Sequence, residues 1–160
     1  MADVAETIED SGRRIGHHAW VEMRLFEALG GWSGTVAEPR TRALLATASR
    51  HHGWHAELWH DLLPDLPHLP VAELVAPDET TAAIVATLEA VDATDPRAAL
   101  AAVRDALPRL VARYAEHLER TAPVSDGPTI RALGLVLTDL DGDGRALGDL
   151  LSALGAEAPG

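Results

Sequence analysis

Proline and glycine fall in a few clusters along this chain, and the spacing between the clusters constrains the fold most. Gly30-Gly31-Trp32-Ser33-Gly34 closes a first segment, and Pro64 to Pro77 forms a Pro-interrupted connector. Thr94-Asp95-Pro96 has the form of a helix start with Pro at the first helical position. Pro123 to Pro128 is a turn, and Asp126-Gly127-Pro128 opens another helix. The intervening segments are rich in Ala and Leu and poor in β-branched and aromatic residues. None sustains period-two alternation, so an all-α chain is expected. The expected helices cover residues 4–29, 38–63, 78–91 (short), 96–121 and 128–154. Pro108 should kink the third long helix. The first and last connections are short and the middle one is long. Two antiparallel hairpins joined by a long crossover, carrying the short extra helix, make a four-helix bundle.

Composition narrows the chemistry. All 13 basic residues are Arg, against 25 acidic ones, for a formal net charge of −12, and Cys is absent. Without Lys there is no Schiff-base amine or P-loop lysine. Without Cys there is no disulfide framework, thiolate nucleophile or Cys-ligated metal. The negative charge argues against a nucleic-acid partner, which needs a basic surface. No stretch reaches the roughly 18 apolar residues of a membrane span. The N-terminus, with Asp3, Glu6, Glu9 and Asp10, does not read as a signal peptide. A single cytoplasmic domain over residues 1–160 is expected, with no membrane association. A homodimer stays open, because the exposed faces mark no interface.

Bundle helices bury positions alternately three and four apart. In the first helix that ladder is Val4, Ile8, Ser11, Ile15, His18, Glu22, Leu25, Leu29. In the second it is Leu45, Ala48, His52, His55, Trp59, Leu62, or else Leu44, Ala48, His51, His55, Leu58, Leu62. In the third it is Leu100, Val103, Leu107, Leu110, Tyr114, His117. In the fourth it is Ile130, Leu133, Leu137, Leu140, Gly144, Leu147, Leu151, Leu154. Three helices therefore aim polar groups inward. With the first turn centred near residue 35, His18 faces about position 52 and Glu22 about position 48. Buried carboxylate and imidazole groups are costly unless they hold a metal or satisfy one another. His17-His18-Ala19-Trp20 is echoed by His51-His52-Gly53-Trp54, which would gather ligands at one level across the hairpin.

The helix order, Glu22 on the first helix and His52-x-x-His55 on the second resemble the ferritin-like superfamily of carboxylate-bridged di-metal proteins. That pattern has Glu on the first helix, Glu-x-x-His on the second, Glu on the third and Glu-x-x-His on the fourth. The resemblance implies Glu22 as a ligand, His52 in place of the second-helix Glu, and Glu116 or His117 as the third-helix ligand. The fourth helix departs, reading Thr138-Asp139-Leu140-Asp141-Gly142-Asp143 with no His. One carboxylate with several imidazoles suits a single divalent metal with an open position. Iron is favoured, and copper, zinc and manganese also fit. The resemblance implies an oxidase or oxygenase acting on a small organic molecule in a pocket between the first three long helices. His18, Glu22, His52 and His55 would be metal ligands, and Tyr114 and His117 would orient substrate or act as acid or base. The alternatives are a metal-free isomerase or cyclase using His/Glu acid–base chemistry, with no cofactor, and a non-catalytic metal-binding bundle.

Three other signals have plainer readings. Glu22 could instead pair with Arg50, and Glu116 with Arg131. Trp20, Phe26, Trp32, Trp54 and Trp59 are read as packing of the first hairpin, with an aromatic wall for a planar ligand as the alternative. Asp139-Leu-Asp-Gly-Asp-Gly mimics half a calcium loop, but loop position 12 is Leu150 and the helical seam runs through it. A polar or broken helix face is expected there.

Overall fold

The computed structural model describes residues 6–157 and, among them, six helices. These are α1 (Ile8–Thr35), α2 (Pro39–Asp61), α3 (Val71–Leu74), α4 (Glu79–Glu89), α5 (Pro96–Arg120) and α6 (Gly127–Ala156). The only pairing of extended residues among them is an isolated bridge between Leu66 and Leu69. No described helix is long and apolar enough to cross a membrane. Most starts follow local chemistry. Thr7 caps α1 by accepting from the Asp10 amide, and Asp95 caps α5 ahead of Pro96. Asp78 and Thr81 form a reciprocal capping box on α4.

Helix directions follow from cross-contacts. His18 meets His117 while Glu22 meets Tyr114, so α1 and α5 are antiparallel. His51 meets Asp143 while His55 meets Asp139, so α2 and α6 are antiparallel as well. With short connections reversing the chain between α1 and α2 and between α5 and α6, α2 and α5 run parallel. The segment from Leu62 to Asp95, with α3 and α4, carries the chain back along the molecule. One core unites these helices, with Leu25, Leu29, Leu45, Trp59, Ile84, Leu100, Leu110, Leu133 and Leu140 fully or almost fully buried.

The first helix departs from expectation. It does not stop at Leu29 but runs through Gly30–Gly34 to Thr35. Tertiary packing overrides the weak helical preference of glycine. Leu29 and Val36 are fully buried, Trp32 packs on the core, and Ser49 Oγ donates to the Phe26 carbonyl across the hairpin. The turn therefore centres near residue 37, and Glu22, not His18, lies opposite His52. Val4 lies outside the described residues, and Ile8 is exposed.

The α6 seam also differs. Its buried residues are Ala132, Leu133, Val136, Leu140, Asp143, Leu147 and Leu150, so Leu133, Leu140 and Leu147 are buried as expected while Val136, Asp143 and Leu150 take the places of Leu137, Gly144 and Leu151. The chosen face buries Asp143 because His51 satisfies its carboxylate. The segment Asp139–Gly144 is continuous helix, so it forms no calcium loop. Pro108 sits inside α5, which continues past it to Arg120.

The crossover lies tightly on α1. A methyl group at Gly16 would stand 2.0 Å from the Leu74 carbonyl oxygen, and one at Gly12 would stand 2.8 Å from the Pro64 ring. Only glycine lets the backbone of α3 approach so closely. Hydrogen bonding between His17 Nδ1 and the Ala76 carbonyl (2.8 Å) and the Arg113–Asp78 ion pair (2.6 Å) hold the same segment.

Candidate metal centre

Glu22 on α1 and His52 and His55 on α2 meet in the middle of the molecule, each fully buried. One donor atom from each lies within 4.8 Å of the others, a group able to hold a metal ion. The hairpin register creates it: Glu22 occupies the inward ladder of α1, and the i, i+3 spacing of His52 and His55 puts both on the facing side of α2.

His52 Nδ1 donates to Glu22 Oε2 at 2.5 Å, and His55 Nδ1 lies 3.4 Å from the same oxygen. The Tyr114 hydroxyl donates to the other oxygen, Glu22 Oε1. Burial alone would push the Glu22 carboxyl upward. The facing imidazoles outweigh it, His52 first and then His55, and hold it at about 2. Glu22 is therefore an anion throughout the neutral range. Tyr114 is pushed well above its usual range by burial and then by the Glu22 charge. It remains a neutral donor. Burial acts to lower His55, but the Glu22 and Asp139 carboxylates raise it overall.

Two atoms here have no partner. His52 Nε2 and His55 Nδ1 are buried without a hydrogen bond. Such an orphan costs about 1–3 kcal/mol. Two imidazoles and one carboxylate with bare buried nitrogens fit a single divalent transition metal, which takes this donor set with positions left open. They do not fit a pair of metals. Glu116 is exposed and pairs with Arg120 at 2.6 Å, not with Arg131, and His117 is engaged elsewhere.

His18 stands one turn from this group and is not brought into it. Arg113 Nε donates to His18 Nδ1 at 3.3 Å. An arginine cannot accept, so His18 carries its proton on Nε2 and donates it to His117 Nδ1 at 2.9 Å. Both ring nitrogens of His18 are thus committed. His18 is held well below its usual range by burial, then by His117 and Arg113. His117 is lowered to about 4, chiefly by burial and then by Arg14. Tyr114 reaches the site directly, whereas His117 reaches only the His18 side of it. Trp59 backs both, with its ring 5.7 Å from that of Tyr114 and 4.9 Å from that of His18.

Two site residues on α6 escape the ladder reading. Asp139 Oδ2 accepts from His55 Nε2 at 3.0 Å, and both Asp143 oxygens lie 3.0 Å from His51 Nδ1. Their i, i+4 spacing matches that of His51 and His55, which is the signal that could have found them. Glu22 pairs with histidines and not with Arg50. The aromatics form no continuous wall, since Trp59 is buried while Phe26 and Trp54 are each more than 40% exposed.

No family model, no curated protein and no solved structure matches this chain.

Proposed function

We propose that this chain is a ferritin-like enzyme that uses one divalent metal, iron foremost, for oxidase or oxygenase chemistry on a small organic molecule. The observation that carries the reading is the buried meeting of Glu22, His52 and His55 with two unpartnered imidazole nitrogens. The antiparallel α1–α5 and α2–α6 pairs, with the long connection between Leu62 and Asp95, support the ferritin-like arrangement.

Glu22, His52 and His55 would hold the metal, and iron bound there would supply one-electron chemistry with O₂. The chain's own residues do the rest. Ionised Glu22 would offset cationic charge at a fully buried position. Tyr114 holds Glu22 Oε1 and leaves Oε2 to face the imidazoles. Trp59 packs on Tyr114 and His18, and Leu25 and Leu45 are buried in the same core. Oxygen uptake by iron-loaded protein tests the reading. Uptake that needs bound iron and is lost in Glu22→Gln supports it. Loaded wild-type protein that consumes no more O₂ than free iron contradicts the oxidative part.

One observation favours the metal-free alternative. His55 stands between the Glu22 and Asp139 carboxylates, which raise it against the pull of burial, and an imidazole so flanked carries the elements of His/Glu acid–base chemistry. Turnover in rigorously metal-free protein would select that reading.

A further inference from the structure

Asp139 contacts none of the atoms that converge at the centre, yet it touches one of their rings. His55 is fully buried, and its only hydrogen bond goes outward, from Nε2 to Asp139 Oδ2 at 3.0 Å. The opposite nitrogen, Nδ1, is the bare one and lies 3.4 Å from Glu22 Oε2. A neutral imidazole has one N–H and one lone pair, so fixing the proton on Nε2 leaves the lone pair on Nδ1. Ring orientation is fixed by the same bond.

We propose that Asp139 is a positioning residue for metal binding: it locks the Nε2–H tautomer of His55 and so presents Nδ1 as the ligand atom. This rests on the metal reading above. A carboxylate behind a ligating imidazole orients it and raises its basicity, and removing such a partner weakens metal binding about 10- to 100-fold. The Asp139 side chain is 28% exposed, so its truncation leaves no buried cavity.

The neighbouring pair supplies an internal control. Asp143 and His51 link the same two helices one turn away, with His51 outside the convergent group. If Asp139 merely fastened α6 to α2, Asp143→Ala would affect the centre as Asp139→Ala does.

The test is titration of metal-free protein with Co(II), read by its visible ligand-field spectrum, on the full chain and three variants. Wild type is expected to bind one equivalent. Asp139→Ala should bind about 10- to 100-fold more weakly with an altered spectrum. Asp139→Asn, which keeps an acceptor oxygen, should recover most of the affinity, and Asp143→Ala should match wild type. Long-range ¹H–¹⁵N spectra of zinc-loaded wild type should show His55 ligated through Nδ1. Wild-type affinity in Asp139→Ala, equal losses in Asp139→Ala and Asp143→Ala, or ligation through Nε2 would each overturn the inference while the metal reading stands. A wild-type chain that binds no Co(II) would overturn both.

Discussion

Glu22 Oε2 and His52 Nδ1 lie 2.5 Å apart, both fully buried, joining positions thirty residues apart across the first hairpin. A carboxylate in such a place is held by its partners, and removing them is costly. Glu22→Ala strips His52 and Tyr114 of their acceptor and should destabilise the chain by about 3–5 kcal/mol. Glu22→Gln, which keeps the shape, should cost less but lose metal binding. Urea denaturation of the two variants beside wild type checks the order. Equal stability of Glu22→Ala and wild type would show that the pair is not formed.

The path of α1 through its glycines makes an opposite-signed prediction. A methyl group at Gly31 meets nothing within 4 Å, and the residue lies inside a helix. Gly31→Ala should therefore stabilise the chain by about 0.5–1 kcal/mol. If the segment were instead a turn, the same change would be destabilising.

Gly16 should behave in the reverse way. Its methyl would collide with the Leu74 carbonyl, a backbone group that cannot swing aside. Gly16→Ala should lower stability by more than about 1–3 kcal/mol and loosen the crossover. Thermal melting with limited proteolysis between Pro64 and Pro77 would register both. An unchanged melting temperature would argue against this close approach.

Acid should weaken the fold in two stages. His117 stands at about 4 in the folded chain against an ordinary 6.5. Between those values the unfolded chain takes up a proton that the folded chain resists, so stability falls as pH drops from about 6.5 to about 4. Above that window His117 is neutral in both states and contributes no slope. His18 is shifted in the same direction. Glu22, at about 2 against 4.5, adds a second loss as pH falls below 4.5. Denaturation across this range should show both slopes, and His117→Gln should flatten the first. Stability independent of pH between 6.5 and 4.5 would contradict the burial of these imidazoles.

The parts legible in the sequence were those where one residue pattern had a single physical solution. The Leu45–Ala48–His52–His55–Trp59 ladder is buried as its spacing requires, and so is the run from Leu100 to His117. Asp95-Pro96 starts a helix because proline is pre-set for that position. The structure differs from the expectation where two solutions compete. Gly30–Gly34 is weak helix on propensity alone, and only packing around Leu29, Trp32 and Val36 extends it. That extension shifts the hairpin register by about one turn, which moves His18 out of the ligand group and puts Glu22 opposite His52. On α6, two ladders share Leu133, Leu140 and Leu147 and differ by one residue at the positions between them. The polar one is buried because His51 and His55 reach from α2, and no periodicity within α6 carries that information.

The central claim is that Glu22, His52 and His55 hold one metal ion. Elemental analysis after anaerobic loading of metal-free protein with Fe(II), followed by removal of unbound metal, tests it most directly. The account predicts about one equivalent per chain in the wild type, and a loss of most of it in Glu22→Gln and in His52→Ala. Less than roughly a tenth of an equivalent in the wild type, after loading with iron, copper, manganese and zinc in turn, would contradict it.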